Sequence, residues 1–284
     1  MLFAPGNHPR RTEKTLELET DGVILDLEDA VAISEKEAAR EPVLAYLKRP
    51  RGNRKAYIRV NALTTTWGFR DIETVVVPGL DGLIVPKIES GEDLVIVDYL
   101  VSTLERERGI AAGTVDVIPI LETAKGIDGI REISRAIKRV RRLAFGSGDF
   151  TNDTGTEWSP NNPLTRFARS VVPIASRAAG LDPPFDTVWP RIDQPEGLLS
   201  ETEEARGMGY GGKMAIHPSQ LETINRVFSP SRADIELAQK ICDAFAAAEK
   251  SGAAAIVVDG IFVDYPVVYR ARQTLESAKD YGLV

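Results

Sequence analysis

The sequence predicts an α/β protein, a (β/α)8 TIM barrel with a C-terminal helix–strand–strand–helix extension. Two observations predict the barrel. Short apolar runs alternate with longer helical patterns about eight times, which argues for parallel strands joined by helices. Six of the presumed strands also carry a charged residue at or near their C-terminal end: Glu28 and Asp29 in GVILDLEDA (22–30), Arg59 in AYIRVN (56–61), Lys87 in GLIVPK (82–87), Glu122 in VIPILE (117–122), Asp149 in RLAFGSGD (142–149) and His217 in GKMAIHP (212–218). Ionisable groups beside apolar runs are costly unless they share a polar cleft. A parallel barrel collects all its strand ends on one face, where barrel enzymes keep their active sites.

The elements follow in order. LFAP (2–5) reads as a first strand, and GNHP leads into the helix RRTEKTLEL, with Asn7 as its N-cap and Pro9 in its first turn. The second, third and fourth strands are followed by helical patterns in SEKEAAREPVLAYLK, TWGFRDIETVV and SGEDLVIVDYLVSTLERER. The fifth strand precedes AKGIDGIREISRAIK. The sixth precedes the polar loop 151–163, which should lie over the mouth, and the helix PLTRFARSVVPIASRAAG. FDTVWP (185–190) is the seventh strand and GGKMAIHP the eighth. GYGGK (209–213) comes late and precedes a strand, so it reads as a turn rather than a phosphate loop, which argues against a doubly wound sheet. A boundary is expected after residue 228. Residues 1–228 form the barrel, and 229–284 form the extension, which caps its own barrel or reaches over a neighbouring subunit.

Composition bounds the function. The 284 residues are 43% hydrophobic and 27% charged, with net charge −7, so a large core is available and no basic stripe for nucleic acid is evident. The basic cluster at 131–142 reads as a solvated helix face. The single cysteine, Cys242, fits a reducing cytoplasm. No apolar run approaches the ~20 residues of a membrane helix, so no membrane partner is expected.

Glu122 and Asp149 form the best metal pair, since two carboxylates without a nearby cysteine suit a hard cation such as Mg²⁺. Read blandly, the same two acids cap helix N-termini. Arg59 offers a guanidinium that grips a carboxylate, or an internal salt bridge with Glu28 or Asp29. Lys87 has the chemistry of a Schiff-base lysine, but a metal pair at the same mouth favours an electrostatic or structural role. Of Glu28 and Asp29, one is placed to act on a metal-bound water and the other to orient Arg59 or Lys87. His217, in an Ile-His-Pro strand end, reads as a structural hydrogen-bonded histidine.

Seven ordered motifs resemble one family over nearly the whole chain: LFAPGNHPRR, VILDLEDAVAISEKEAAR, IRVNAL, GLIVPKIES, PILETAKGI, LAFGSGDFTNDTG and GKMAIHPSQL. They resemble the citrate lyase β-subunit-like (CitE-like) branch of the HpcH/HpaI aldolase superfamily. The resemblance implies a cytoplasmic TIM-barrel lyase, a trimer by preference, using Mg²⁺ on Glu122 and Asp149 with Arg59 on the substrate carboxylate. It implies a 2-oxo acid such as oxaloacetate, and an acyl-CoA or acyl-carrier thioester, as reactants of a citryl-, malyl- or citramalyl-type reaction. It also implies that Asp264, in GIFVDYPVV, serves the site of the adjacent subunit as a proton carrier. Two alternatives stay open: a free-acid pyruvate-type aldolase, and a β subunit that needs partner subunits for activity.

Overall fold

The computed structural model describes all 284 residues. The chain divides into two compact units, Met1–Ile224 and Asn225–Val284.

The first unit is a parallel, TIM-barrel-like α/β sheet of eight strands in chain order: β1 (Leu2–Pro5), β2 (Gly22–Asp26), β3 (Lys55–Arg59), β4 (Gly82–Val85), β5 (Asp116–Leu121), β6 (Ala144–Phe145), β7 (Phe185–Asp186) and β8 (Gly212–Lys213). Beyond β8, Ala215 accepts from the Phe3 N–H and donates to the Met1 carbonyl, each at 2.8 Å, so the pairing returns from the last strand to the first. Ile24, Ile84, Ile118, Ile120, Ala144 and Met214 form one buried apolar cluster, drawn from β2, β4, β5, β6 and the residue after β8. The β2 and β4 strands are buried along their whole length, as strands covered on both faces must be.

The helices between strands are α1 (Pro9–Lys14), α2 (Arg40–Leu47), α3 (Gly68–Val75), α4 (Gly91–Glu107), α5 (Ala124–Asp128), α6 (Ile130–Ile133), α7 (Ser147–Asp153), α8 (Pro163–Ala178) and α9 (Pro195–Met208), with α10 (Leu221–Phe228) after β8. Their starts follow local chemistry. Ser90 and Asp93 close a reciprocal capping box on α4, Thr123 caps α5, and Asn162 caps α8 with Pro163 at the first helical position. Gly209, at φ 93°, ends α9 in the left-handed conformation a glycine adopts without strain.

Three expectations are corrected. Asn7 does not cap α1: Pro9 starts the helix, which makes His8 the N-cap, and the Asn7 amide donates instead to the Glu35 carboxylate. The second strand ends at Asp26 rather than at residue 30, because the Asp26 carboxylate accepts the N–H groups of Glu28 (2.9 Å) and Ala30 (3.1 Å) and turns the chain. The basic stretch 131–142 is not one solvated face. The chain leaves helical geometry after Ile133, and Arg139 is buried with bonds to Glu105 at 2.8 and 2.9 Å and to Asp98 at 2.9 Å.

The second unit is α11 (Arg232–Lys250), a hairpin of β9 (Ile256–Val258) and β10 (Ile261–Val263), and α12 (Tyr265–Asp280). The hairpin turn is Asp259-Gly260, both at positive φ (48° and 80°), the geometry a two-residue hairpin prefers. Ile241, Phe245, Val258, Val263 and Val268 form its core.

Candidate active site

The C-terminal ends of the strands open on a cavity of about 390 Å³. Asp26 and Arg59 end neighbouring strands and stand directly in register. The guanidinium grips Asp26 with two parallel bonds, Nε to Oδ1 at 2.7 Å and Nη2 to Oδ2 at 2.6 Å. Its remaining nitrogen, Nη1, lies 3.2 Å from Glu28 Oε2 and 3.4 Å from Asp29 Oδ2. The Phe3 ring packs against the guanidinium at 4.8 Å. Burial alone would lower the Arg59 pKa, but the charges of Asp26, Glu28 and Asp29 override it and raise it further, so the arginine is permanently charged.

Glu28 is buried, while Asp29 beside it is 56% exposed. The loop that carries them is clamped by Lys36, whose buried ammonium donates to the carbonyls of Leu27 (3.1 Å) and Glu28 (2.6 Å). Lys87 follows β4 in a left-handed conformation, φ 52°, which is strained for a residue with a β-carbon. That backbone sends its N–H to Glu122 Oε1 at 2.9 Å and its ammonium to Glu28 Oε1 at 2.7 Å, with Asp149 Oδ1 at 3.9 Å.

Glu122 follows β5 and is 3% exposed. Burial, then the charges of Asp149 and Glu28, push its carboxyl well above the usual carboxylate range. Gly146 admits this side chain: a β-carbon there would lie 2.5 Å from Glu122 Oε2. Asp149 sits in the first turn of α7, one turn past the expected strand end. Burial also raises the Glu28 carboxyl, against the pull of Arg59 and Lys87, and its Oε2 is buried without a hydrogen-bond donor.

The structure therefore brings together Glu28, Asp29, Arg59, Lys87, Glu122 and Asp149. Asp264 lies in the second unit, where its carboxylate caps α12 by accepting from Val267 N at 3.4 Å. His217 is tied to Ser219, Nδ1 to Oγ at 2.8 Å, as a structural histidine would be. Trp158, from the polar loop, donates to Ser147 Oγ at 3.3 Å on the cavity wall. Asp26 is the residue that sequence reasoning missed. Its signal is a lone acid inside the apolar run GVILDL, one strand away from Arg59.

The sequence model of the HpcH/HpaI aldolase/citrate lyase family matches residues 1–218. The chain belongs to this family. The citrate lyase beta subunits among its members are carbon–carbon lyases, and the family supports lyase activity. Among curated relatives, citrate lyase subunit beta of Haemophilus influenzae is 35% identical over 98% of this chain and 96% of its own. A (3S)-malyl-CoA thioesterase of Cereibacter sphaeroides is 36% identical over 98% and 94%. Among solved structures, the CitE protein of Mycobacterium tuberculosis in complex with magnesium, acetoacetate and coenzyme A has TM-score 0.78 and 29% identity, over 98% of this chain and 97% of that one. A citrate lyase beta subunit from the same organism, complexed with oxaloacetate and magnesium, has TM-score 0.67 and 29% identity, over 81% and 96%. No helix here is long and apolar enough to cross a membrane.

Proposed function

We propose that this chain is a Mg²⁺-dependent lyase that cleaves or forms a 3-hydroxyacyl thioester, exchanging it with a 2-oxo acid and an acyl thioester. The observation that carries the reading is the concentration of acid at one mouth. Glu122 is buried and under the charges of both Asp149 and Glu28, and Lys87 Nζ lies 2.7 Å from Glu28 and 3.9 Å from Asp149. This is the chemistry that calls for a hard dication. Mg²⁺ takes one or two carboxylates and completes its octahedron with water and substrate oxygens, a demand that a pair such as Glu122 and Asp149 would meet. The magnesium bound by the Mycobacterium tuberculosis relatives supports the same reading.

Glu122 and Asp149 would hold the ion. Bound Mg²⁺ supplies Lewis-acid polarisation of the keto oxygen. Arg59 presents Nη1 to the substrate carboxylate, with Asp26 fixing the guanidinium plane. Lys87 holds Glu28 and tempers the negative field. Asp29, exposed and loosely paired, receives the 3-hydroxyl proton in the cleavage direction. The bond between carbons 2 and 3 then breaks, carbon 3 becomes the ketone, and carbon 2 leaves as the thioester enolate. A proton reaches carbon 2 by way of Asp264 of the partner subunit, taken up from solvent and matched by the one Asp29 releases to solvent, so atoms and charge balance. The assembly is a homotrimer in the cytoplasm, with residues 229–284 serving the neighbouring site.

The test is turnover. Glu122→Ala and Asp149→Ala, assayed separately with Mg²⁺ and a hydroxyacyl-CoA, each lose activity by orders of magnitude. Undiminished metal-dependent turnover in both removes the assignment. The thioesterase relative favours a second reading, hydrolysis of the thioester itself. Measuring free CoA beside the 2-oxo acid separates the two. Recovery of activity only on adding acyl-carrier partners would favour the β-subunit reading that the Haemophilus influenzae relative supports.

A further inference from the structure

Two hydroxyls line the cavity, from Ser147 and Thr187. Ser147 stands two residues before Asp149, and Thr187 directly before Val188, so the pair joins the charged side of the wall to an uncharged side that includes Val188, Met214 and Ile216. Both side chains are buried, at 3% and 2% exposure. Their oxygens lie 2.8 Å apart. Thr187 Oγ1 accepts the Ser147 N–H at 2.9 Å, and Ser147 Oγ accepts the Trp158 indole N–H at 3.3 Å. Trp158 is itself held, edge-on to the buried Trp189 at 5.5 Å and against the Arg191 guanidinium at 5.4 Å. A hydroxyl carries one hydrogen and two lone pairs. Each oxygen already accepts one N–H, and one hydroxyl hydrogen is used between the two oxygens. If Ser147 donates, Thr187 has filled both lone pairs and its own hydrogen is left over; if Thr187 donates, the Ser147 hydrogen is left over. Either way one hydrogen remains, and no protein group accepts it. The tie between Ser147 and the end of β7 is complete without it. A buried donor is costly until an acceptor arrives, and the cavity is where one can.

Deepening the lyase reading above, on which it rests, we infer that the Ser147–Thr187 pair donates this hydrogen to the thioester carbonyl oxygen and stabilises it as the enolate forms. When the bond between carbons 2 and 3 breaks, its electron pair passes into the thioester, and negative charge gathers on that oxygen until carbon 2 is protonated. The cations at the mouth are engaged elsewhere. In this chemistry the keto oxygen is the one that Mg²⁺ polarises. Arg59 is bound to Asp26 and lies 3.2 Å from Glu28 and 3.4 Å from Asp29, and Lys87 donates to Glu28 at 2.7 Å. The charged side of the wall is rich in acid and repels a second anion. A neutral donor beside apolar groups meets the developing charge where water is scarce, and there a preorganised donor acts most strongly. Trp158 is a positioning residue in this arrangement, because its N–H fixes Ser147 Oγ before substrate arrives.

The experiment compares Ser147→Ala, Thr187→Val and Thr187→Ser with the wild type, each as the full chain with Mg²⁺. The reaction is cleavage of malyl-, citramalyl- or citryl-CoA, whichever the wild type turns over fastest. Release of 2-oxo acid gives kcat, and inhibition by added 2-oxo acid product gives its inhibition constant. Thr187→Val keeps the outline of the side chain and removes the hydroxyl, whereas Thr187→Ser keeps the hydroxyl. Of Ser147→Ala and Thr187→Val, the one that deletes the donating hydroxyl should lower kcat by about 100-fold, the loss expected for one such donor. Its inhibition constant should stay within about threefold of the wild type, and Thr187→Ser should stay within about threefold in both measures. A purely structural tie would lower the thermal midpoint and leave kcat of the folded protein alone. A kcat within about threefold of the wild type in both deletions therefore overturns the inference and leaves the lyase reading standing. So does a tenfold rise in the inhibition constant at unchanged kcat, which gives the hydroxyl to the 2-oxo acid instead. A wild type that releases 2-oxo acid from none of the three thioesters overturns the lyase reading and this inference with it. Should Thr187→Val not fold, Thr187→Cys takes its place, since a thiol accepts from the Ser147 N–H but donates only weakly.

Discussion

Asp26→Asn isolates the pair on which Arg59 depends. Each Asp26 oxygen accepts two bonds: Oδ1 from Arg59 Nε (2.7 Å) and Glu28 N (2.9 Å), Oδ2 from Arg59 Nη2 (2.6 Å) and Ala30 N (3.1 Å). An amide replaces one oxygen by an NH₂ group. Whichever way it sits, one guanidinium N–H and one backbone N–H lose their acceptor. Both side chains are buried, at 12% and 2% exposure, so solvent offers little replacement. An orphaned buried donor costs about 1–3 kcal/mol, and breaking a buried ion pair by removing one partner costs about 3–5 kcal/mol. A loss of about 3 kcal/mol follows. For a unit of this size that lowers the thermal midpoint by about 6–12 °C. With its plane no longer fixed, Arg59 swings toward Glu28 and Asp29, and KM for the 2-oxo acid rises by about tenfold to 100-fold. The assays are a calorimetric melt of the full chain, with Asp29→Asn as the control for the melt alone, and steady-state kinetics compared with the wild type. That variant removes an exposed partner at 3.4 Å and should cost under ~1 kcal/mol. A midpoint for Asp26→Asn within 2 °C of the control would refute the reasoning.

The remaining predictions concern the metal pair and the second unit. Glu122 has a folded pKa above its unfolded one, first through burial and then through Asp149, so its contribution to stability is present at low pH and lost as pH rises through the folded value. Without Mg²⁺, stability of the wild type should fall as pH climbs above the ordinary glutamate range, and Glu122→Gln should flatten that slope in urea titrations; a slope unchanged by the substitution refutes it. Saturating Mg²⁺ at 100 times its Kd adds about 2.7 kcal/mol, a rise of about 5–11 °C in midpoint; Asp149→Asn should abolish that rise in a melt scored without any substrate. Asp264→Ala mixed with Arg59→Ala should regain part of the wild-type turnover if the site is shared between subunits, and an inactive mixture of exchanged subunits would count against the sharing.

The alternation of apolar runs and helices made the eight strands legible because a buried strand must be apolar and its charged residues must collect where the barrel opens. Glu122, Arg59 and Lys87 were readable for that reason. Each is held at the mouth by backbone that the strand itself positions, as the bond from Lys87 N to Glu122 shows. What stayed hidden depended on register. Asp26 stands opposite Arg59 only through the β2–β3 pairing, and nothing local to residue 26 announces its partner 33 positions away. Arg139 was misread for the same reason, because a basic run looks solvated until Glu105, 34 residues earlier in the chain, is brought against it. Phe3, Val188 and Met214, which line the apolar side of the cavity, were equally silent, since each of these residues looks like ordinary core. Catalytic charge betrays itself in a sequence because it is expensive to bury. The apolar wall of the cavity is made of the same kind of residues as the core, and it becomes visible only when the first strand and the last are brought side by side.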